Sequence, residues 1–119
     1  MRLPGTCYLH VHGQDSITLD IAVDGDTVWG KLQFKNYQID GSSGTVSGRF
    51  EGDTLLVKYD FFAEGTRNIT EEAFLKQGDR YIRGFGDRKE VDGVYRFADK
   101  RAIDFVDGQV FRPVACNTP

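Results

Sequence analysis

Ile17-Thr18-Leu19-Asp20-Ile21-Ala22-Val23-Asp24-Gly25-Asp26-Thr27-Val28-Trp29-Gly30-Lys31-Leu32-Gln33-Phe34 reads as one β-hairpin. Before the glycine of the turn, Ile17, Leu19, Ile21 and Val23 alternate with Thr18, Asp20, Ala22 and Asp24. After it, Val28, Gly30, Leu32 and Phe34 alternate with Trp29, Lys31, Gln33 and Lys35. That alternation is the period of a pleated strand, whose successive side chains point to opposite faces. Gly25-Asp26 suits the positive backbone angle of a two-residue hairpin loop. Such a loop sets the two apolar rows together on one face.

The same pattern extends in both directions. Val46, Gly48 and Phe50 fold at Gly52 onto Leu55, Val57, Tyr59 and Phe61. Turn signals recur at Gly13, Gly25, Gly41–Gly44, Gly52, Gly65, Gly78, Gly93 and Gly108, with runs rich in Val, Ile, Thr, Tyr and Phe between them. Strands are expected to begin near Cys7, Ser16, Thr27, Thr45, Thr54, Arg67, Arg80, Val94, Ala102 and Gln109. The run Ile103-Asp104-Phe105-Val106 is the weakest of these, and 98–102 reads alternatively as a short helical turn. The expectation is an all-β single domain over 1–119, with tails at 1–6 and 117–119. Its architecture would be an antiparallel up-and-down β-barrel of roughly eight to ten strands, lipocalin-like, since closure removes exposed sheet edges. A two-sheet β-sandwich is the alternative. Gly30, Gly48, Gly84 and Gly86 fall inside strands and mark bends or close backbone approach.

Composition narrows the class. The chain has 119 residues, 39% hydrophobic and 28% charged, with net charge −3, which suits a globular domain and lacks the basic excess of a nucleic-acid binder. No apolar run approaches the roughly 20 residues of a membrane-spanning helix. Met1-Arg2-Leu3-Pro4-Gly5-Thr6-Cys7 contains no hydrophobic stretch and does not read as a signal peptide, leaving a mature chain or one that is never exported. The two cysteines, Cys7 and Cys116, lie near opposite ends. A disulfide between them is expected, implying an oxidising compartment; two free thiols in a cytosolic protein are the alternative. In an up-and-down barrel the bond also requires an even strand count, so that both ends share one rim.

Several stretches resemble small exported lipoproteins of Bacteroidetes-type Gram-negative bacteria. The likeness runs from Cys7-Tyr8-Leu9 through Asp15-Ser16-Ile17-Thr18-Leu19, Gly44-Thr45-Val46-Ser47-Gly48 and Gly52-Asp53-Thr54-Leu55. It continues through Ala73-Phe74-Leu75-Lys76 and Gly84-Phe85-Gly86-Asp87 to Cys116. The resemblance implies export to the periplasm or outer membrane, with tethering through a lipidated cysteine upstream of this sequence. Thr6 stands where a lipidation box has a small residue, so Cys7 is kept for the disulfide. The resemblance supplies no catalytic residues.

Chemistry-bearing groups are few. His10 and His12 alternate on one strand and so share a face, the only weak candidates for a metal. With Leu9 and Val11 pointing inward, both imidazoles would face solvent. Asp24-Gly25-Asp26 lacks the spacing of a calcium loop, and turn chemistry accounts for the acids at Asp15, Asp40, Asp53, Asp79, Asp92 and Asp107. Ser42-Ser43 has no His–Asp support. Asn68-Ile69-Thr70 matches a glycosylation acceptor.

The hairpin at Gly78-Asp79 is ambiguous. A two-residue loop pairs Phe74 with Arg83 and Leu75 with Ile82. One face then carries Ile69, Glu71, Ala73, Leu75, Ile82, Gly84 and Gly86; the other carries Thr70, Glu72, Phe74, Tyr81, Arg83 and Phe85. Either inner face brings an ionisable group inside. The plainer arrangement buries Ile69, Leu75 and Ile82 and leaves Glu72 and Arg83 as a surface cross-strand pair. The other buries Glu72 with Arg83 among Phe74, Tyr81 and Phe85, an anchor for a polar ligand head.

The function expected is non-catalytic binding. Phe34, Phe50, Tyr59, Phe61, Tyr95 and Phe97 form an inner aromatic set that could line a cavity for a small apolar or amphipathic ligand. With the Gly78 hairpin, candidate ligand residues are thus Phe34, Phe50, Tyr59, Phe61, Glu72, Phe74, Tyr81, Arg83, Phe85 and Tyr95. No cofactor is expected. The alternative is a protein-interaction module, an accessory surface lipoprotein or an inhibitor of a secreted hydrolase, using the outward Trp29, Leu56 and Phe62.

Overall fold

A computed structural model of the chain describes residues 6–36, 41–63 and 65–116. Ten strands follow in order: β1 (Thr6–His12), β2 (Asp15–Asp24), β3 (Thr27–Lys35), β4 (Ser42–Glu51), β5 (Thr54–Ala63), β6 (Thr66–Gln77), β7 (Arg80–Phe85), β8 (Arg88–Val91), β9 (Val94–Phe97) and β10 (Asp104–Val114). Eight close into an antiparallel barrel. Strands β1 to β7 pair consecutively, β7 pairs with β10, and β10 pairs with β1. Closure excludes the sandwich.

The hairpin over 17–34 has the expected register, with Ile17 opposite Phe34, Leu19 opposite Leu32 and Val23 opposite Val28. Gly25 carries φ 63°, and Gly13, Gly52 and Gly78 turn in the same way. At the β8–β9 turn Asp92 and Gly93 both have positive φ, 53° and 81°, as a type I′ loop demands. Two interior glycines let strands cross closely. A Cβ on Gly30 would run into the Asp20 carbonyl oxygen, and one on Gly48 into the Leu56 carbonyl oxygen. The aligned apolar rows make the core: Leu19, Val28, Leu32, Leu55, Phe74 and Phe111 are fully buried. Each contributes about 1.5–3 kcal/mol by leaving water.

Cys7 and Cys116 form a disulfide with Cα atoms 5.3 Å apart. Cys7 pairs with Val114 across the β1–β10 seam, so the bond staples the two strands that close the ring. The even barrel count agrees with that linkage. The disulfide lies at the end of the barrel bearing the Gly25, Gly52 and Gly78 turns. The Gly13 and Gly65 turns lie at the other end.

Several local expectations are corrected. The strand expected from Arg80 breaks at Gly86-Asp87 into β7 and β8, and the β8–β9 hairpin stands outside the ring. The turn expected at Gly108 is a bulge: β10 is continuous, and its register shifts between Asp104, opposite Phe85, and Gln109, opposite Arg83. A Cβ at Gly108 would meet the Arg83 carbonyl oxygen, so glycine serves close approach there. The weak run at Ile103 thus joins the last strand, and a 3-10 turn over Lys100–Ala102 precedes it, capped by Asp99. Gly44, expected in a turn, lies within β4 opposite Leu32, and Gln38 to Asp40 before it lie outside the described residues.

The phase of β1 is reversed. Tyr8 sits opposite the inward Leu19 and His10 opposite the inward Ile17, while Val11 is 58% exposed. His10 therefore faces inward near the open rim, against the Phe111 ring at 5.6 Å, and His12 is exposed beyond it. Alternation is right, but the short strand carries apolar side chains on both faces, Tyr8 on one and Leu9 and Val11 on the other. Pairing with Leu19 and Ile17 of β2 sets its phase, turning the row of Tyr8 and His10 inward.

A candidate binding cup at the open end of the barrel

Strand β6 explains the site. Its twelve residues pair with β5 along Thr66–Leu75 on one edge. On the other edge β7 pairs only with Phe74–Gln77, and β9 runs parallel to Ile69 and Thr70. Between those partners the wall opens into a short seam at Glu71 and Glu72, and side chains supply its hydrogen bonds. Arg88 Nε donates to the Glu71 carbonyl oxygen at 3.1 Å, where a neighbouring strand would offer a backbone N–H. The Glu71 carboxylate accepts from the Phe97 backbone N–H at 2.9 Å and lies 3.9 Å from Arg96.

Glu72 points the other way, into the barrel. Its carboxylate accepts from Arg83 Nε at 3.0 Å, Arg83 Nη2 at 3.3 Å and Arg88 Nη2 at 3.2 Å. Arg83 also donates from Nη1 to the Gln109 side chain at 3.0 Å. The Glu72 side chain is only 4% exposed and that of Arg83 13%. The surface pair expected as the plainer arrangement is therefore corrected: the face carrying Thr70, Glu72, Phe74, Tyr81 and Arg83 turns inward. The opposite face did not need to be apolar inside, because Ile103, Phe105 and Phe97 pack over Gly84 and Gly86 from outside and cover it.

Above this cluster opens a cup of about 390 Å³, lined by Phe34, Ser42, Tyr59, Phe61, Thr70, Glu72 and Arg83, with Asn36, Gly41 and Ala63 at its lip. The Tyr59 and Phe61 rings stack with centroids 4.4 Å apart, and Phe34 lies 5.8 Å from Tyr59. The Arg83 guanidinium sits over the Phe34 ring at 5.2 Å. Tyr59 shares a 3.0 Å hydroxyl–hydroxyl bond with Ser42. Burial pushes the Tyr59 phenol above its ordinary value, and the Ser42 bond offsets part of that. The cup has a flat aromatic wall and a charged, hydrogen-bonded floor.

Of the ten candidate ligand residues, the fold gathers Phe34, Tyr59, Phe61, Glu72 and Arg83 at the cup. Phe50, Phe74 and Tyr81 point inward but fill the core: Phe50 faces Tyr81 at 6.5 Å, and Phe74 meets Phe111 edge-on at 5.5 Å. Phe85 lies at the rim, 40% exposed, its ring 5.1 Å from the Arg83 guanidinium. Tyr95 is corrected: it is 45% exposed on β9, outside the ring, and Phe97 beside it is buried under Arg88 rather than in the interior. Of the outward set, Phe62 is 67% exposed, whereas Trp29 and Leu56 are half-buried.

Four contributors were not singled out for the interior. Alternation already sets Thr70 on the face of Glu72, and Ser42 shares the parity of Val46 and Gly48, so the same alternation could have found it as well. Arg88 and Gln109 left no such signal, because the strand break at Gly86-Asp87 and the bulge in β10 separate them from the local pattern of their partners. Among the described residues, the one trio of His, Cys, Asp or Glu close enough to share an ion is Cys7, Asp20 and Cys116, whose sulfurs form the disulfide. His10 Nδ1–H donates instead to the Val110 carbonyl at 3.0 Å. No known protein family, curated protein or solved structure matches this chain.

Proposed function

We propose that the protein is a non-catalytic, exported binding module that holds a small amphipathic molecule in the cup at the open end of its barrel. The observation that carries this reading is the division of the barrel interior. The disulfide end is packed solid by Leu55, Phe74, Tyr81 and Phe111, while the other end leaves about 390 Å³ against Phe34, Tyr59 and Phe61. That volume lies in the range of small-molecule pockets, which combine an apolar wall with a few fixed polar groups. The disulfide supports export to an oxidising compartment. Tethering through a lipid anchor upstream is part of the same proposal.

Native mass spectrometry of protein purified from an oxidising compartment is expected to show a small-molecule adduct. Independently, Phe61→Trp in a Trp29→Phe background should report 2-naphthol through a saturable fluorescence change, and Phe34→Asp should weaken it. Absence of both an adduct and a saturable response would sink the cup reading. A protein-binding role is favoured by a different feature: Val11, Phe62 and Val106 are exposed large apolar side chains near the open end, Val106 at 91%. Charge reversal at Phe62 and Val106 would then abolish partner capture without touching 2-naphthol binding.

A further inference from the structure

The floor of the cup is unbalanced in charge and in hydrogen-bonding capacity, and from this we infer that its ligand carries a carboxylate. The inference rests on the cup reading and names the head group that the cup selects. Glu72 meets two guanidinium groups, those of Arg83 and Arg88. Glu72 together with these two arginines, Arg88 reaching it from the seam, therefore carries one more positive than negative charge. The other nearby carboxylate, Glu71, lies on the opposite face of β6 and is engaged by Phe97 N–H and Arg96. A largely desolvated excess charge is costly unless a partner arrives.

Donor and acceptor counts point the same way. A carboxylate offers about four acceptor positions. Glu72 already takes three N–H donors, so it has little left for a ligand. A guanidinium has five N–H groups. Arg83 engages three of them among the described residues, and its remaining two belong to a side chain that lines the cup. The Thr70 hydroxyl lines the same floor, and the Ser42–Tyr59 pair has one hydroxyl hydrogen beyond the one it shares. The charged groups of the floor thus present spare donors and little spare acceptor capacity, while its hydroxyls can donate or accept. A ligand amine would meet net positive charge, and a carboxylate would meet oriented N–H and O–H groups, the stronger class of hydrogen bond. The stacked Tyr59–Phe61 wall suits a compact, flat apolar body.

The test compares naphthalene-2-carboxylate with naphthalene-2-carboxamide, which share a body and differ in head charge. Binding to the wild-type protein is followed by calorimetry, and site occupancy by amide shifts at Phe61 and Thr70. The carboxylate is expected to bind at least about tenfold tighter. Raising salt should narrow the gap, and the charge-neutral double variant Glu72→Gln/Arg83→Gln should shrink it to about threefold or less. Equal affinity of the two probes, with shifts at both residues, would overturn the carboxylate inference and leave the cup reading intact. Absence of binding by either probe, with no shifts, would overturn both. The wild-type comparison stands whether or not the double variant folds.

Discussion

Glu71 and Glu72 are adjacent in the chain and point to opposite faces of β6, yet both carboxylates are buried. They are buried for different reasons. Glu71 replaces a missing backbone acceptor at the seam, whereas Glu72 compensates two arginines inside the barrel. Substitution by glutamine should separate these roles. Glu71→Gln keeps an oxygen for the Phe97 N–H and should cost less than about 1 kcal/mol. Glu72→Gln leaves Arg83 and Arg88 uncompensated and should cost about 2–4 kcal/mol, discounted for their partial exposure. Urea unfolding of the two variants at neutral pH measures the difference. Equal costs would contradict the division of roles.

The disulfide closes nearly the whole chain into one loop, with 109 positions separating its cysteines. Replacing both cysteines by serine removes that restraint on the unfolded ensemble. The chain-entropy account gives a loss of up to about 4–5 kcal/mol. The β1–β10 ladder does not depend on the bond, so far-ultraviolet circular dichroism of the variant should retain the barrel signature at low temperature. A lowered thermal midpoint with an unchanged spectrum is the expected result.

Glycines at turns and in strands should respond differently to alanine. Gly52 has φ 63° and open space around it, so Gly52→Ala carries only backbone strain, about 1 kcal/mol. Gly30 has ordinary backbone angles but no room. A methyl there collides with the Asp20 carbonyl oxygen, which is held in the β2–β3 ladder opposite Lys31. Gly30→Ala should cost about 3 kcal/mol. Chemical denaturation that ranks Gly52→Ala as the more damaging would refute this account.

Alkaline stability should track the buried phenols. Burial, reinforced by Tyr8, pushes Tyr81 up to about 12 from its ordinary 10.0, and burial raises Tyr8 and Tyr59 as well. The folded protein keeps these protons over a range in which the unfolded chain releases them. Stability is therefore unaffected by these groups below pH about 10 and falls as pH rises towards 12. Tyr81→Phe should flatten part of that decline, measured as the urea midpoint at pH 9 and pH 11. Phenolate absorbance at 295 nm should show the delayed ionisation directly.

Strand identity, hairpin register and the apolar rows of β2 to β5 could be read from the chain alone. Each depends on neighbours within a few residues: the alternation of Ile17, Leu19 and Ile21, the turn at Gly25, and the pairing of Phe74 with Arg83 across Gly78. The single pair of cysteines indicated the closure of the ring. Which face of β6 turned inward was a tertiary decision. Both faces of that strand carry a glutamate, and the choice was settled by Ile103, Phe105 and Phe97, which arrive from outside the barrel and cover Gly84 and Gly86. The exclusion of Tyr95 from the interior has the same origin, because alternation assigns a side chain to a face without saying which body that face belongs to. The cup floor followed from contacts of long separation. Arg83 meets Gln109 only because a bulge in β10 restores their register, and Arg88 reaches Glu72 only because β7 has left the edge of β6. Local pattern carries no record of such meetings, since their energy is realised only once the barrel has closed.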